Sequence, residues 1–189
     1  MIVVLKENNK VYIAQPFLSL KHTEMADDDL INSNNLPLWK IDNTNIVGAT
    51  DGNMLFNDLI KYSPDLFPET LTLNELILNV VPKIKQLAKE NLLLNDEDEL
   101  PCSFVLAQND NAFIISQTGF VEMVENVSAL GWYGDVIKGS IVKNKNSNTC
   151  KIKQCFKDAR YSLGMEINKY VIINTKSLMP EVISTLTCS

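Results

Sequence analysis

Apolar and polar positions alternate in blocks along this chain, and the blocks have two distinct periods. The first sixteen residues read MIVVLKENNKVYIAQP. Ile2 to Leu5 is an apolar, mostly β-branched run, Glu7 to Lys10 a polar turn cluster, and Val11 to Ala14 a second apolar run. Two strands around a turn are predicted. The first is apolar on both faces, which predicts a central, buried strand. Residues 17–35 are mostly polar and read as a loop holding at most one short strand. Leu38 to Ile41 and Ile46 to Ala49 form a second hairpin around Asp42 to Asn45. Gly48 and Gly52 bracket its end, as a strained turn or a close backbone approach requires.

The period then changes. Asn53 opens a helix with Leu55, Leu59 and Ile60 on its inward face, stopped at Ser63-Pro64. Thr72 with Glu75 forms a capping box for a second helix. Its stripe runs Leu73, Leu76, Ile77, Val80, Val81, Ile84, Leu87, Ala88, and Pro82 should bend or divide it. Strands return over residues 101–124, with Val127 to Leu130 as a further strand end. Two more helices are expected, from Asp135 to about Asn144 and from a Thr149 cap to Leu163, the second facing inward with Ile152, Cys155, Phe156 and Ala159. Gly164 suits its C-terminal cap. Residues 170–175 form a strand, and the stretch after Pro180 an edge strand.

The order is strands, two helices, strands, two helices, strand. This is the pattern of an α+β fold, not of alternating parallel βαβ units. Two antiparallel sheets face to face, with a helix pair outside each, would bury strands that are apolar on both faces. The expected architecture is a four-layer αββα sandwich spanning residues 1–189 as a single domain, with no repeat and no linker.

Composition narrows the function classes. A formal net charge of −6 and a pI near 4.8 leave no basic stripe to neutralise phosphates, so nucleic acid is not expected as a partner. No apolar run reaches the roughly 20 residues that span a bilayer, and no signal-peptide pattern opens the chain, so a cytoplasmic protein without membrane contact is expected. Cys102, Cys150, Cys155 and Cys188 show no CxxC spacing, and the one histidine, His22, lies far from them in sequence. Reduced thiols are expected, with no metal site and no cofactor. The acid run Asp27 to Asp29 lacks the spaced ligands and turn glycine of a calcium loop and reads as a solvated loop. Ser19, His22 and one of those aspartates have the residue types of a hydrolytic triad, but a triad is a spatial arrangement and a loop histidine usually faces water. Trp132 and Tyr133, between two glycines, suit packing more than an exposed binding pair. Lys138, Lys143, Lys145, Lys151, Lys153 and Lys157 make the last helix pair basic. This is either a solvated face or a surface for an acidic partner.

Several segments in this order resemble the proteasome β subunit and its simpler bacterial relative, within the N-terminal nucleophile hydrolases. IVVLKENNKVYIA resembles that family's first hairpin, NNLPLWKIDNTNIVGATDG its lysine-containing turn and small-residue strand end, SALGWYG the glycine turn opening its third helix, and DARYSLG with YVIINT its loop and final core strand. The resemblance covers roughly residues 1 to 176 and implies the same four-layer fold and self-assembly into a homo-oligomer. It also implies an N-terminal threonine acting as nucleophile and base, but that position falls at or just before Met1. The family's acid corresponds to about Pro16, its lysine to about Pro37, and its serine to about Leu130 with Ser128 close by; only Asp158 resembles an acidic family position. Ser128 and Asp158 are therefore the residual candidates for a catalytic site. The implied function is a non-catalytic structural or interaction subunit. Two alternatives stay open: an amide or peptide hydrolase of the superfamily with a displaced site, and a small-molecule binding module using the family cleft.

Overall fold

The computed structural model describes residues 1–17, 38–41, 44–131, 134–143, 148–163, 167 and 169–184. The expectations for Ser19, His22, Asp27 to Asp29, Pro37, Trp132, Tyr133, Gly164 and Cys188 lie outside the described residues.

β1 (Ile2–Glu7) and β2 (Lys10–Phe17) form the predicted hairpin. Asn8 and Asn9 both take positive φ, at 55° and 56°. That handedness matches the twist of the strands it joins, and asparagine tolerates it. The second hairpin is β3 (Leu38–Ile41) with β4 (Ile46–Thr50). Helix α1 (Met54–Lys61) follows, with the Asn53 side chain accepting from the Phe56 amide. Its buried face is Phe56, Asn57 and Ile60, while Leu55 is exposed, one position away from the face expected from the sequence. After a short 3₁₀ turn (Pro64–Leu66) comes a helical rod in three pieces: a turn Leu73–Glu75, a π turn Leu76–Val80, and α2 (Val81–Glu90). Pro82 divides the rod as expected. It has no N–H to offer and would crowd the carbonyl four residues back, and the wider π turn places that carbonyl elsewhere. Thr72 caps the rod by accepting from the Glu75 amide at 3.1 Å, but the Glu75 side chain turns to Asn79, so only half of the capping box forms.

The chain continues through β5 (Phe104–Gln108), β6 (Asn111–Ile115), β7 (Val121–Met123) and β8 (Val127–Leu130). Helices α3 (Gly134–Lys143) and α4 (Asn148–Leu163) and strands β9 (Lys169–Asn174) and β10 (Glu181–Ser184) complete it. Helix α4 begins at Asn148, so Thr149 lies within it and is not its cap.

The two sheets are antiparallel, in the orders β10-β9-β2-β1-β8 and β3-β4-β5-β6-β7. β8 leaves the meander of β5 to β7 and pairs with β1, with Val4 opposite Ser128. Three cores result. Ile2, Val4, Ile13, Val47, Val105 and Val171 lie between the sheets. Val3, Leu5, Ile141, Phe156 and Tyr170 lie under α3 and α4. Trp39, Phe56, Ile84, Phe104 and Phe113 lie under α1 and α2. β1 contributes to two of them, because its even residues face the other sheet and its odd residues face the helices. The architecture is the expected α+β sandwich of two sheets flanked by helix pairs. Gly48 explains itself by close approach: a Cβ there would run into the Trp39 ring.

Polar ties join the layers where the apolar cores end. At one end, Thr175 beyond β9 donates from its hydroxyl to the Asn109 carbonyl in the β5–β6 turn and accepts from the Val11 amide at 3.1 Å. At the other, the Gln15 amide group donates to the Thr50 carbonyl at 3.3 Å. Buried Gln108 holds three segments at once, donating to Thr44 and Glu69 carbonyls at 2.6 and 2.7 Å and accepting from Leu71 N–H.

Candidate functional site

The N-terminal end of β1 brings the chain's first residue against the turn that follows β4. The α-ammonium of Met1 donates to Asp51 Oδ1 at 2.5 Å, across fifty positions of sequence. The pair is sheltered, with the Met1 side chain 6% and that of Asp51 24% exposed. Strand and turn chemistry place both groups. β1 is pinned on both sides by β2 and β8, so Met1 has a fixed direction. Asp51 is fixed by its own N–H, which donates to the Ser103 carbonyl at 3.0 Å, and by α1 anchored just beyond it. That anchor is Asn57 Oδ1, which accepts from Trp39 Nε1 at 2.5 Å and from the Thr50 hydroxyl at 3.0 Å.

Gly131 closes the third side. Its φ is +98°, and a Cβ there would stand 3.0 Å from the Met1 Cα and 3.3 Å from Asp51 Oδ2. Both facts favour glycine, one by backbone handedness and one by space. Gly52, beside Asp51, has a φ of +105°, so it serves the turn rather than a close approach. Cys102 lies on the core side of the same turn. Burial pushes its thiol up to about 11, the Asp51 carboxylate adds to the rise, and the N–H groups of Asn53 and Asp51 oppose it. It is a protonated, inward-facing thiol at neutral pH, not a nucleophile. Gln15, which donates to the carbonyl of Thr50 next to Asp51, is buried and its Oε1 has no hydrogen-bond partner among the described residues.

The candidates from the sequence fall elsewhere. Ser128 is buried on β8 opposite Val4, and cross-strand neighbours share a face, so it belongs to the inter-sheet layer. Asp158 lies on α4, where it accepts from the Ser140 hydroxyl of α3 and from Gln154 Nε2 at 2.7 Å. The sheet stands between the two, and the structure does not bring them into one site. Pro16 is buried in β2 opposite Tyr170. Leu130 pairs with Ile2.

The chemical inventory at the end of β1 is thus an ammonium in an ion pair, a carboxylate spent on that pair, a thioether and a protonated thiol. General base catalysis by an α-amine needs a free lone pair and a nucleophile on the same residue, and Met1 brings neither in this state. Among the described residues, no cluster of three His, Cys, Asp or Glu could hold a metal ion, and no helix is long and apolar enough to cross a membrane. Asp51 was not singled out by sequence reasoning. The available signal was its place at the end of a strand of small residues, next to a glycine.

No family model and no curated protein matches the chain. Solved structures do. BPH from Thiobacillus denitrificans, in complex with epoxomicin, is similar with a TM-score of 0.69 at 12% identity, covering 92% of this chain and 96% of that one. A second structure of T. denitrificans BPH gives a TM-score of 0.68 at 12% identity over the same shares. Eukaryotic HslV from Trypanosoma brucei gives 0.60 at 13% identity, over 92% of this chain and 97% of that one. The fold is therefore the proteasome-like sandwich that these structures share, matched over nearly the whole length of each chain.

Proposed function

We propose that this protein is a non-catalytic, proteasome-subunit-like protein that acts in the cytoplasm as a structural or interaction subunit of a homo-oligomer. One observation supports the reading: at the start of β1, where the resembled family's nucleophile falls at or just before Met1, the Met1 ammonium is closed off by Asp51 and Gly131. The thioether of Met1 does not attack an amide, and Pro16 supplies no carboxylate at the end of β2. Loss of general acid–base assistance alone is worth on the order of 10² to 10⁴ in rate, and loss of the nucleophile removes the covalent route altogether.

Intact-mass spectrometry tests the proposal. The protein is incubated with epoxomicin, the compound bound in the T. denitrificans structure, and in parallel with fluorogenic peptides. The expected result is a mass that includes Met1, no adduct and no turnover. An adduct, or turnover that disappears with Ser128→Ala or Asp158→Ala, would establish the displaced-site hydrolase instead.

A further inference from the structure

The turn that holds Met1 is built on the one Asp-Gly pair in the chain, Asp51–Gly52; every other aspartate is followed by a residue with a side chain. In such a pair the glycine nitrogen lies four bonds from the aspartate carboxyl carbon. Closing a ring of five atoms between them is intramolecular and needs no tertiary partner. Two things oppose it: a side chain crowding the attacking nitrogen, and a hydrogen bond that keeps that nitrogen occupied.

Neither stands at this turn. Gly52 is exposed, and a Cβ built on it meets nothing within 4 Å. The N–H groups on either side are engaged. That of Asp51 donates to the Ser103 carbonyl at 3.0 Å, and those of Asp51 and Asn53 face the Cys102 thiol. The Gly52 N–H between them has no partner among the described residues. Its φ is +105°, and with no Cβ it turns about its backbone bonds with little resistance. The carboxyl group is prepared as well. Asp51 Oδ1 accepts from the Met1 ammonium at 2.5 Å, so an acid already touches the oxygen that would have to leave.

We propose that Asp51–Gly52 is a self-modification site, at which the folded protein converts Asp51 to isoaspartate through a cyclic imide. The Gly52 nitrogen attacks Asp51 Cγ, and a C–N bond forms. The Cγ–Oδ1 bond breaks. That oxygen leaves as water, taking the Gly52 amide proton and one proton from the Met1 ammonium, which regains its proton from solvent. Water then opens the imide. Cleavage at Cγ restores aspartate. Cleavage at the main-chain carbonyl gives isoaspartate, in which the chain runs through Cβ and Cγ and the carboxylate hangs from Cα. Water is the only co-reactant, and the final mass is unchanged.

The product does not keep the Met1 contact. The backbone between β4 and α1 gains one carbon, and the carboxylate sits one carbon nearer the main chain, so it withdraws from the ammonium. A sheltered ammonium without a partner is unfavourable and turns toward water. The modification therefore releases the start of β1, which the aspartate form holds.

Ageing the full chain in neutral buffer, with circular dichroism confirming that it stays folded, tests this. Tryptic peptide 41–61 holds Asp51 together with Asp58, an internal control. Electron-transfer fragmentation locates isoaspartate within it, and an amine-acylating reagent reads the exposure of the Met1 amine at each time point. The expected result is isoaspartate that accumulates at Asp51 severalfold faster than at Asp58, with Met1 acylation rising in step. In Asp51→Glu the ring would hold six atoms, so neither signal should grow with time. Folded protein that forms no isoaspartate at Asp51, or no more than at Asp58, would overturn the site. Isoaspartate that accumulates while Met1 acylation stays flat, or acylation that rises equally in Asp51→Glu, would overturn the release of β1.

Discussion

Asp51 does the work of a lock on the chain's first residue. It occupies the Met1 ammonium, whose direction β1 has already fixed. Removing it leaves a sheltered positive charge without a partner, which costs about 1–3 kcal/mol. Asp51→Ala is therefore expected to lower the urea midpoint by a corresponding amount, while Asp65→Ala, on an exposed 3₁₀ turn, changes it little. Nothing in the local sequence links Asp51 to Met1, because the pairing spans all four strands of the first two hairpins. The glycines around it were legible, since positive φ and close approach leave few other choices. The cysteines give a second residue-scale expectation. Cys102 and Cys155 are buried and their thiols are raised by desolvation, Cys102 to about 11. Cys150 is exposed. In a Cys188→Ser background, native protein at pH 8 should be alkylated at Cys150 alone, as read by peptide mass mapping. The sign of the linkage follows from the raised pKa. A buried thiol favours its neutral form, so the fold is undisturbed below about pH 9, where an unfolded thiol titrates. Stability falls as pH rises from there through about 11, because only the unfolded chain ionises freely. Urea midpoints measured across that window should decline, and less so in Cys102→Ala.

The elements themselves were largely written in the pattern. The first two hairpins, the caps at Asn53 and Thr72, the break at Pro82 and the inward residues of α4 all follow from local periodicity and turn chemistry. Two things did not. In α1 the inward face is Phe56 and Ile60, not Leu55, because an eight-residue helix leaves the phase of an apolar stripe open until it meets its sheet. The partner of β8 is set by distant packing. Val127 to Leu130 follows β7 directly, yet it completes the other sheet beside β1, a pairing that no short-range signal encodes. The caps carry a clear expectation. Asn53→Ala and Thr72→Ala each remove a side-chain acceptor for a helix N–H and should each cost about 1 kcal/mol. The two caps belong to different helices, so the double variant should show roughly the sum of the single losses in chemical denaturation.

For the molecule as a whole, the ends of the sandwich are held differently from its middle. The inter-sheet core is apolar and non-directional. The ends are fixed by a few directed bonds: Met1 to Asp51, Gln15 to Thr50, and Thr175 to Asn109. Thr175 is the most connected of these, because its hydroxyl and its N–H serve β2 and the opposite sheet together. Thr175→Val keeps the shape and deletes the hydroxyl, leaving the Val11 N–H and the Asn109 carbonyl without it. A loss of about 1–3 kcal/mol is expected by denaturation, with the far-ultraviolet spectrum unchanged. The sandwich was legible as a class from the order of runs. Its assembly into two particular sheets was legible only where neighbours in sequence are also neighbours in space.

That last distinction governs how the chain comes together in time. β3 to β7 form one sheet from a continuous stretch, so it is complete once Met123 has left the ribosome. β1 and β2 precede that stretch, but their sheet lacks β8 until Leu130, and β9 and β10 until Ser184, has been made. The earliest strands to be synthesised are therefore among the last to be fully paired. The β1 edge stays open until β8 emerges and the β2 edge until both helix pairs have followed, a long-range closure that slows folding and leaves an aggregation-prone hairpin waiting. Pulse-labelled hydrogen exchange during refolding should find the amides of β4 to β6 protected before those of β1 and β9.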